Sequence, residues 1–140
     1  LWNEKTTVKF FKPLKDGWVS HSISNIQRGY DKKSNEYIEV EAIKLSDQIK
    51  EMDKLPSLLK LDIEGAVLEV LKDLFENNIF INQLCVEFEE LQNPNSVNMD
   101  RVGEVEKLLK SNNYTCVHAD GLNGCNRLYL KNNFLNSISR

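Results

Sequence analysis

Leu58-Leu59-Lys60-Leu61-Asp62-Ile63-Glu64-Gly65-Ala66, followed by Val67-Leu68-Glu69-Val70-Leu71, is the stretch on which the fold turns. Leu58 to Ile63 is an apolar run of strand length interrupted only by Lys60, a pattern that suits a strand covered on both faces in a parallel sheet. Two carboxylates and a glycine follow, and the period then changes. From Val67 the apolar residues Val67, Leu68, Leu71, Leu74 and Phe75 recur at three and four, with Glu69, Lys72, Asp73 and Glu76 opposite. That spacing predicts an amphipathic helix. The unit reads strand, acidic turn, helix. Ligands of open α/β sheets sit just beyond the carboxyl ends of the strands, where Asp62 and Glu64 fall.

Working outward, Gln83-Leu84-Cys85-Val86-Glu87-Phe88 is a second buried-type strand that also ends in carboxylates, Glu87, Glu89 and Glu90. Glu87 would border the same cleft, whereas Glu89 and Glu90 read as solvent-facing. Gln92 to Asn95 is a loop, and a helix is expected from about Met99 to Ser111, stopped by Asn112-Asn113. Tyr114–Val117 and Asn126–Leu130 are two strands, joined closely enough to pair antiparallel. The end, from Asn133, reads as loosely ordered.

On the N-terminal side, Thr6–Phe11 and the alternating Tyr37–Ile43 are strands expected to pair as a hairpin arm. Between them Gly17 to Asn35 is a long Ser- and Asn-rich loop that carries His21. Leu45-Ser46-Asp47 opens a short helix with Ser46 as its N-cap, running to about Asp53. The expected order β-α-β-α-β-β follows one hairpin, within a single domain over residues 1–140.

Composition limits the choice of function. A chain of 140 residues, 41% hydrophobic and 28% charged, has the makings of a globular core. A net charge of −3 gives no electrostatic case for nucleic acid or an anionic membrane. No apolar run approaches the roughly 20 residues of a membrane span. Cys85, Cys116 and Cys125 lack the spacing of a structural zinc site and read as reduced thiols, Cys85 in the core. With no targeting segment visible, they point to the cytoplasm.

The string Leu59-Lys60-Leu61-Asp62-Ile63-Glu64-Gly65-Ala66 with Val70-Leu71 resembles the central motif of the FkbM-type methyltransferases. The resemblance continues in Val19-Ser20-His21-Ser22, in Val40 through Asp47 and in Gln83–Glu87. It implies the C-terminal portion of a class I methyltransferase domain: a partial Rossmann-like sheet of parallel strands with a terminal antiparallel pair. It implies S-adenosylmethionine as cofactor and a hydroxyl of a small molecule or saccharide as acceptor. By the same resemblance Asp62 and Glu64 are candidate catalytic residues, and His21 and Glu87 candidate substrate contacts. The alternative is a non-catalytic remnant of the scaffold that serves protein association.

Three departures from the family pattern stand out. Val67 occupies a usually acidic position, Glu89 stands where the family often has histidine, and no Gly-x-Gly turn occurs anywhere. The residues that would hold the cofactor are therefore not identified, and the chain reads as beginning about halfway through the domain. Leu58–Ile63 would then lie at an open sheet edge, to be covered by another segment or by a second copy unless the chain is an excerpt from a longer one, and reduced stability or self-association is expected of the 140 residues alone.

Overall fold

The computed structural model describes residues 1–13, 21–23, 35–63, 65–92 and 96–138. Two sheets organise them. The smaller is the expected arm: β1 (Thr6–Phe11) pairs antiparallel with β2 (Tyr37–Ala42), with Val8 opposite Val40 and Phe11 opposite Tyr37. The Phe11 and Tyr37 rings meet edge to face at 5.9 Å, and the Lys9 ammonium lies 4.1 Å from the centre of the Tyr37 ring. β-Branched and aromatic side chains favour the extended backbone here with little burial to help them. Beyond the strands, Ser22 pairs with Phe11 through two backbone hydrogen bonds of 2.8 and 3.1 Å.

The larger sheet contains β3 (Leu58–Leu61), β4 (Gln83–Glu87), β5 (Tyr114–Asp120) and β6 (Asn126–Lys131), in the order β3-β4-β6-β5. β3 and β4 run parallel, as strands joined by a crossover helix must, and β6 runs antiparallel to both its neighbours. The crossover is α2 (Val67–Glu76), and α3 (Ser96–Ser111) connects β4 to β5. Leu61, Leu84, Val86 and Tyr129 of the sheet join Val70, Leu71 and Leu74 of α2 and Val102, Val105 and Leu109 of α3 in one core.

β3 departs from the expectation of a strand buried on both faces. It is shorter, ending at Leu61, and among the described residues it lies at the edge of the sheet, as the resemblance implied. Leu61 is wholly buried while Leu58 remains 53% exposed, because successive side chains point to opposite faces and one face carries the core. Cys85, on that more open face, is half-buried rather than core.

α1 (Leu45–Lys50) corrects a second expectation. Ser46 is not its N-cap: Lys44 holds that place, Ser46 lies inside the first turn, fully buried, and the helix ends before Asp53. The capping acceptor comes from another helix. Asp73 Oδ2 of α2 accepts the Ser46 N–H at 3.2 Å, and Asp73 Oδ1 pairs with Lys44 Nζ at 3.1 Å. Asp73, expected on the polar face of α2, is therefore buried, at 3% exposure. It satisfies an orphan first-turn donor with a charge that suits a helix N-terminus.

Three boundaries also move. α3 begins at Ser96 because its first turn exposes Val97 and Met99, which leaves no apolar period there to announce it. β5 runs on to Asp120 past a bulge between Cys116 and His118. The end of the chain forms α4 (Asn132–Ile138), although Asn and Ser are weak helix formers. Local hydrogen bonds support it: Asn133 Oδ1 accepts the Phe134 N–H at 2.9 Å, and Ser137 Oγ donates to the Phe134 carbonyl at 2.6 Å.

Candidate active site at the carboxyl ends of β3 and β4

β3 stops at Leu61 and the chain leaves the sheet through Asp62 and Ile63. Gly65 has φ +89°, a conformation that strains any side-chain-bearing residue, and the Ala66 N–H donates to the Ile63 carbonyl at 3.1 Å to close the turn. A Cβ built on Gly65 would meet nothing within 4 Å, so the glycine is required by backbone conformation and not by close strand–helix packing. Glu64 lies outside the described residues.

The parallel register sets Lys60 beside Cys85 and Leu61 beside Val86. Beyond the last register pair, Asp62 directly follows β3 and Glu87 closes β4. Alternation places Lys60, Asp62, Cys85 and Glu87 on the same, more open face of the sheet. Lys60 Nζ pairs with Asp62 Oδ2 at 2.9 Å, and both side chains remain about half exposed. The hydrogen bond and charge of Asp62, with a lesser contribution from Glu87, raise the Lys60 pKa and hold its ammonium charged. Glu87 ends β4 half-buried, opposite Asn126 of β6. Of the sequence candidates, Asp62 directly follows β3 and Glu87 closes β4, and Lys60 pairs with the first and is influenced by the charge of the second.

The turn is held from the side by Arg101 of α3. Its Nη2 donates to the Gly65 carbonyl at 2.6 Å and its Nε to Glu90 Oε1 at 3.3 Å. Glu90 sits in the 3₁₀ turn Glu89–Gln92 that follows β4, so one guanidinium ties the exits of both parallel strands to α3. Glu89 and Glu90 are half-buried, which corrects the expectation that both face solvent. A guanidinium offers several donors in a fixed fork, which allows one side chain to grip a carbonyl and a carboxylate at once.

His21 belongs to the arm, next to the Ser22 that bridges to Phe11, and is half-buried there. Lys60, Arg101 and Glu90 escaped the reading of the sequence as site residues. Lys60 carried a usable signal, a lone charge in an apolar strand two residues from Asp62. Arg101 lies 36 residues from Gly65 and gave no local sign.

A separate hollow of about 340 Å³ is lined by Glu106, Lys110, Tyr114, Thr115, Cys116 and Tyr129. It involves α3 and the β5–β6 pair and no residue of β3 or β4. Burial pushes the Tyr114 and Tyr129 phenols up to about 12, so neither is a base at neutral pH. Among the described residues no group of His, Cys, Asp and Glu is arranged to hold a metal ion, and no helix is long and apolar enough to cross a membrane.

In open α/β sheets ligands sit just beyond the carboxyl ends of the strands, where Asp62 and Glu87 lie. Residues 3–116 match the methyltransferase FkbM domain, and the chain belongs to that family. No curated protein and no solved structure matches it.

Proposed function

We propose that the chain is part of an S-adenosylmethionine-dependent methyltransferase that methylates a hydroxyl oxygen of a small molecule or saccharide. The observation that carries this reading is the FkbM match over residues 3–116, with Asp62 following β3 and Glu87 closing β4 within it. The strand order β3-β4-β6-β5, with the last strand inserted antiparallel, supports a Rossmann-like methyltransferase sheet.

The described residues fit the acceptor side of such a reaction better than the cofactor side. No Gly-x-Gly occurs in the sequence, and Gly65 follows an acidic turn, so a glycine-rich cradle is not supplied by this part of the chain. The cofactor assignment rests on the family, and no step is derived through it. On the acceptor side, Asp62 and Glu87 present hydrogen-bond acceptors to the hydroxyls of a polyol, and Lys60 presents donors. As the acceptor oxygen gains a methyl group it must lose its proton, and in this reading Asp62 orients that hydroxyl and receives the proton. Glu64 enters this reading as a second catalytic carboxylate and His21 as a contact from the arm.

A second reading, a non-catalytic scaffold used for protein association, is favoured by one observation: Lys60 already neutralises Asp62. Calorimetric titration of S-adenosylhomocysteine into the 140-residue chain, and into any longer polypeptide that contains it, tests the choice. Saturable binding to either supports the enzyme reading. Heat from neither overturns it in favour of the scaffold.

A further inference from the structure

The hollow between α3 and the β5–β6 pair, about 340 Å³, falls at the lower end of the volumes of small-molecule sites, roughly 300–1,000 Å³. No residue of β3 or β4 lines it, so what it holds is independent of methyl transfer. Two buried phenols stand in its wall, Tyr114 and Tyr129, the second at 3% exposure. They differ in one respect. The Tyr114 hydroxyl donates to the Ile81 carbonyl at 2.7 Å, whereas the Tyr129 hydroxyl is buried with no hydrogen-bond partner among the described residues. Folded proteins rarely leave a buried hydroxyl in that condition, since it has given up water for nothing. Burial keeps this phenol protonated at neutral pH, so what it lacks is an acceptor.

Its neighbours do not supply one. Tyr129 stands opposite Cys116 of β5, and the charged or titratable groups felt at its hydroxyl are Arg127, Glu106 and Cys116. A guanidinium has donors only. Glu106, the one carboxylate in the wall, is engaged by Arg127, which also donates to the Gly124 carbonyl at 3.0 Å. The Cys116 thiol donates to the His118 carbonyl at 3.4 Å. Lys110 follows Glu106 by four residues, the spacing of a helix ion pair. With Glu106 taken, the Lys110 ammonium has no carboxylate partner among the described residues. Two residues of the same hollow thus carry an unused cation and an unused buried donor, beside aromatic walls, and its one carboxylate is already neutralised.

We propose that this hollow binds a small aromatic carboxylate, its anion shared between the Lys110 ammonium and the Tyr129 hydroxyl and its ring packed on the tyrosine rings. Sodium benzoate is titrated into the unaltered chain and followed by the amide shifts in nuclear magnetic resonance. The expected result is saturation in the millimolar range or below, with shifts at Lys110, Tyr114, Cys116 and Tyr129. Benzyl alcohol, the same ring without the charge, is expected to bind about tenfold more weakly. Tyr129→Phe keeps the ring and deletes only the hydroxyl, and Lys110→Met deletes a charge at an exposed position. Each is expected to weaken benzoate about fivefold or more, to leave benzyl alcohol unchanged and not to lower the melting temperature. Should Tyr129→Phe fail to fold, Lys110→Met decides alone. Failure to saturate overturns the proposal. So do equal affinities for benzoate and benzyl alcohol, shifts confined to the strand ends at Asp62 and Glu87, and a benzoate affinity that either folded variant leaves unchanged.

Discussion

The two sheets of this molecule are built on different terms. In the larger one, inward residues such as Leu61, Leu84 and Val86 are almost fully removed from water and pack on two helices. In the arm Ala42 is buried, but no residue of β1 or β2 joins the core cluster, and Tyr37 and Ile38 are more than 40% exposed. Among the described residues the arm is held by its ladder, the Phe11–Tyr37 ring pair, the Lys9 ammonium over Tyr37 and an exposed Lys12–Glu36 ion pair. Such contacts contribute tenths of a kcal/mol to about 1 kcal/mol each, whereas one buried Leu contributes about 2 kcal/mol. Identical strand propensity thus produces a structural element in one place and an appendage in the other. Burial makes the difference.

The comparison can be broken most severely where the two regions meet. Asp73→Ala removes a buried carboxylate that caps α1 through Ser46 and pairs with Lys44, the second residue after β2. It is expected to cost about 2 kcal/mol in denaturant unfolding, since it leaves the buried Ser46 N–H without its acceptor, while the partly exposed Lys44 ammonium turns to water. A loss within a few tenths of a kcal/mol would show that the join is not structural.

Alkali should act on the larger sheet next. Burial raises the phenols of Tyr114 and Tyr129 from 10.0 to about 12, so between those values the folded chain keeps protons that the unfolded chain releases. Stability is therefore full below about pH 10 and falls as the pH climbs toward 12. Lys44, raised by the hydrogen bond and charge of Asp73, acts in the same direction, while Lys131, lowered by burial, acts against it. Thermal melts across this range, with tyrosinate absorbance followed alongside, should show unfolding and late phenol ionisation together. Early ionisation of all four tyrosines without unfolding would contradict it.

The smallest effect belongs to the arm. Tyr37→Ala deletes both the Phe11 ring contact and the Lys9 cation–π contact, yet global unfolding should shift by less than about 1 kcal/mol. Exchange of the β1 and β2 amides should quicken while β4 stays protected. A global loss comparable to that of Asp73→Ala would mean that the arm is integral to the core.

Legibility in the sequence follows the same division. β1 with β2, β3, α2, β4 and the antiparallel pair β5–β6 were all readable, because period and composition are local signals. Asp62 and Glu87 could be placed at strand ends for the same reason. What escaped is long-range. Asp73 was read as solvated because its neighbours on α2 are, but its partners Lys44 and Ser46 lie 29 and 27 residues earlier. Glu90 is expected to face solvent and Arg101 carries no local signal; they meet only because α3 lies beside the strand exits. The edge position of β3 was legible only through the family resemblance, because the run Leu58–Leu61 reads by itself as a strand covered on both faces.

The Asp73 contacts also have a mechanical meaning. The Trp2 N–H reaches the Ile43 carbonyl at 3.0 Å, so both ends of the arm converge just before Lys44, and Lys44 and Ser46 end on one carboxylate. The hairpin is in effect a lever whose pivot is α1, set by Asp73 and by the packing of Leu45 and Ile49 in the core. A pull or twist applied at its tip is delivered through that pivot to the middle of α2, the helix that begins at the Asp62 turn.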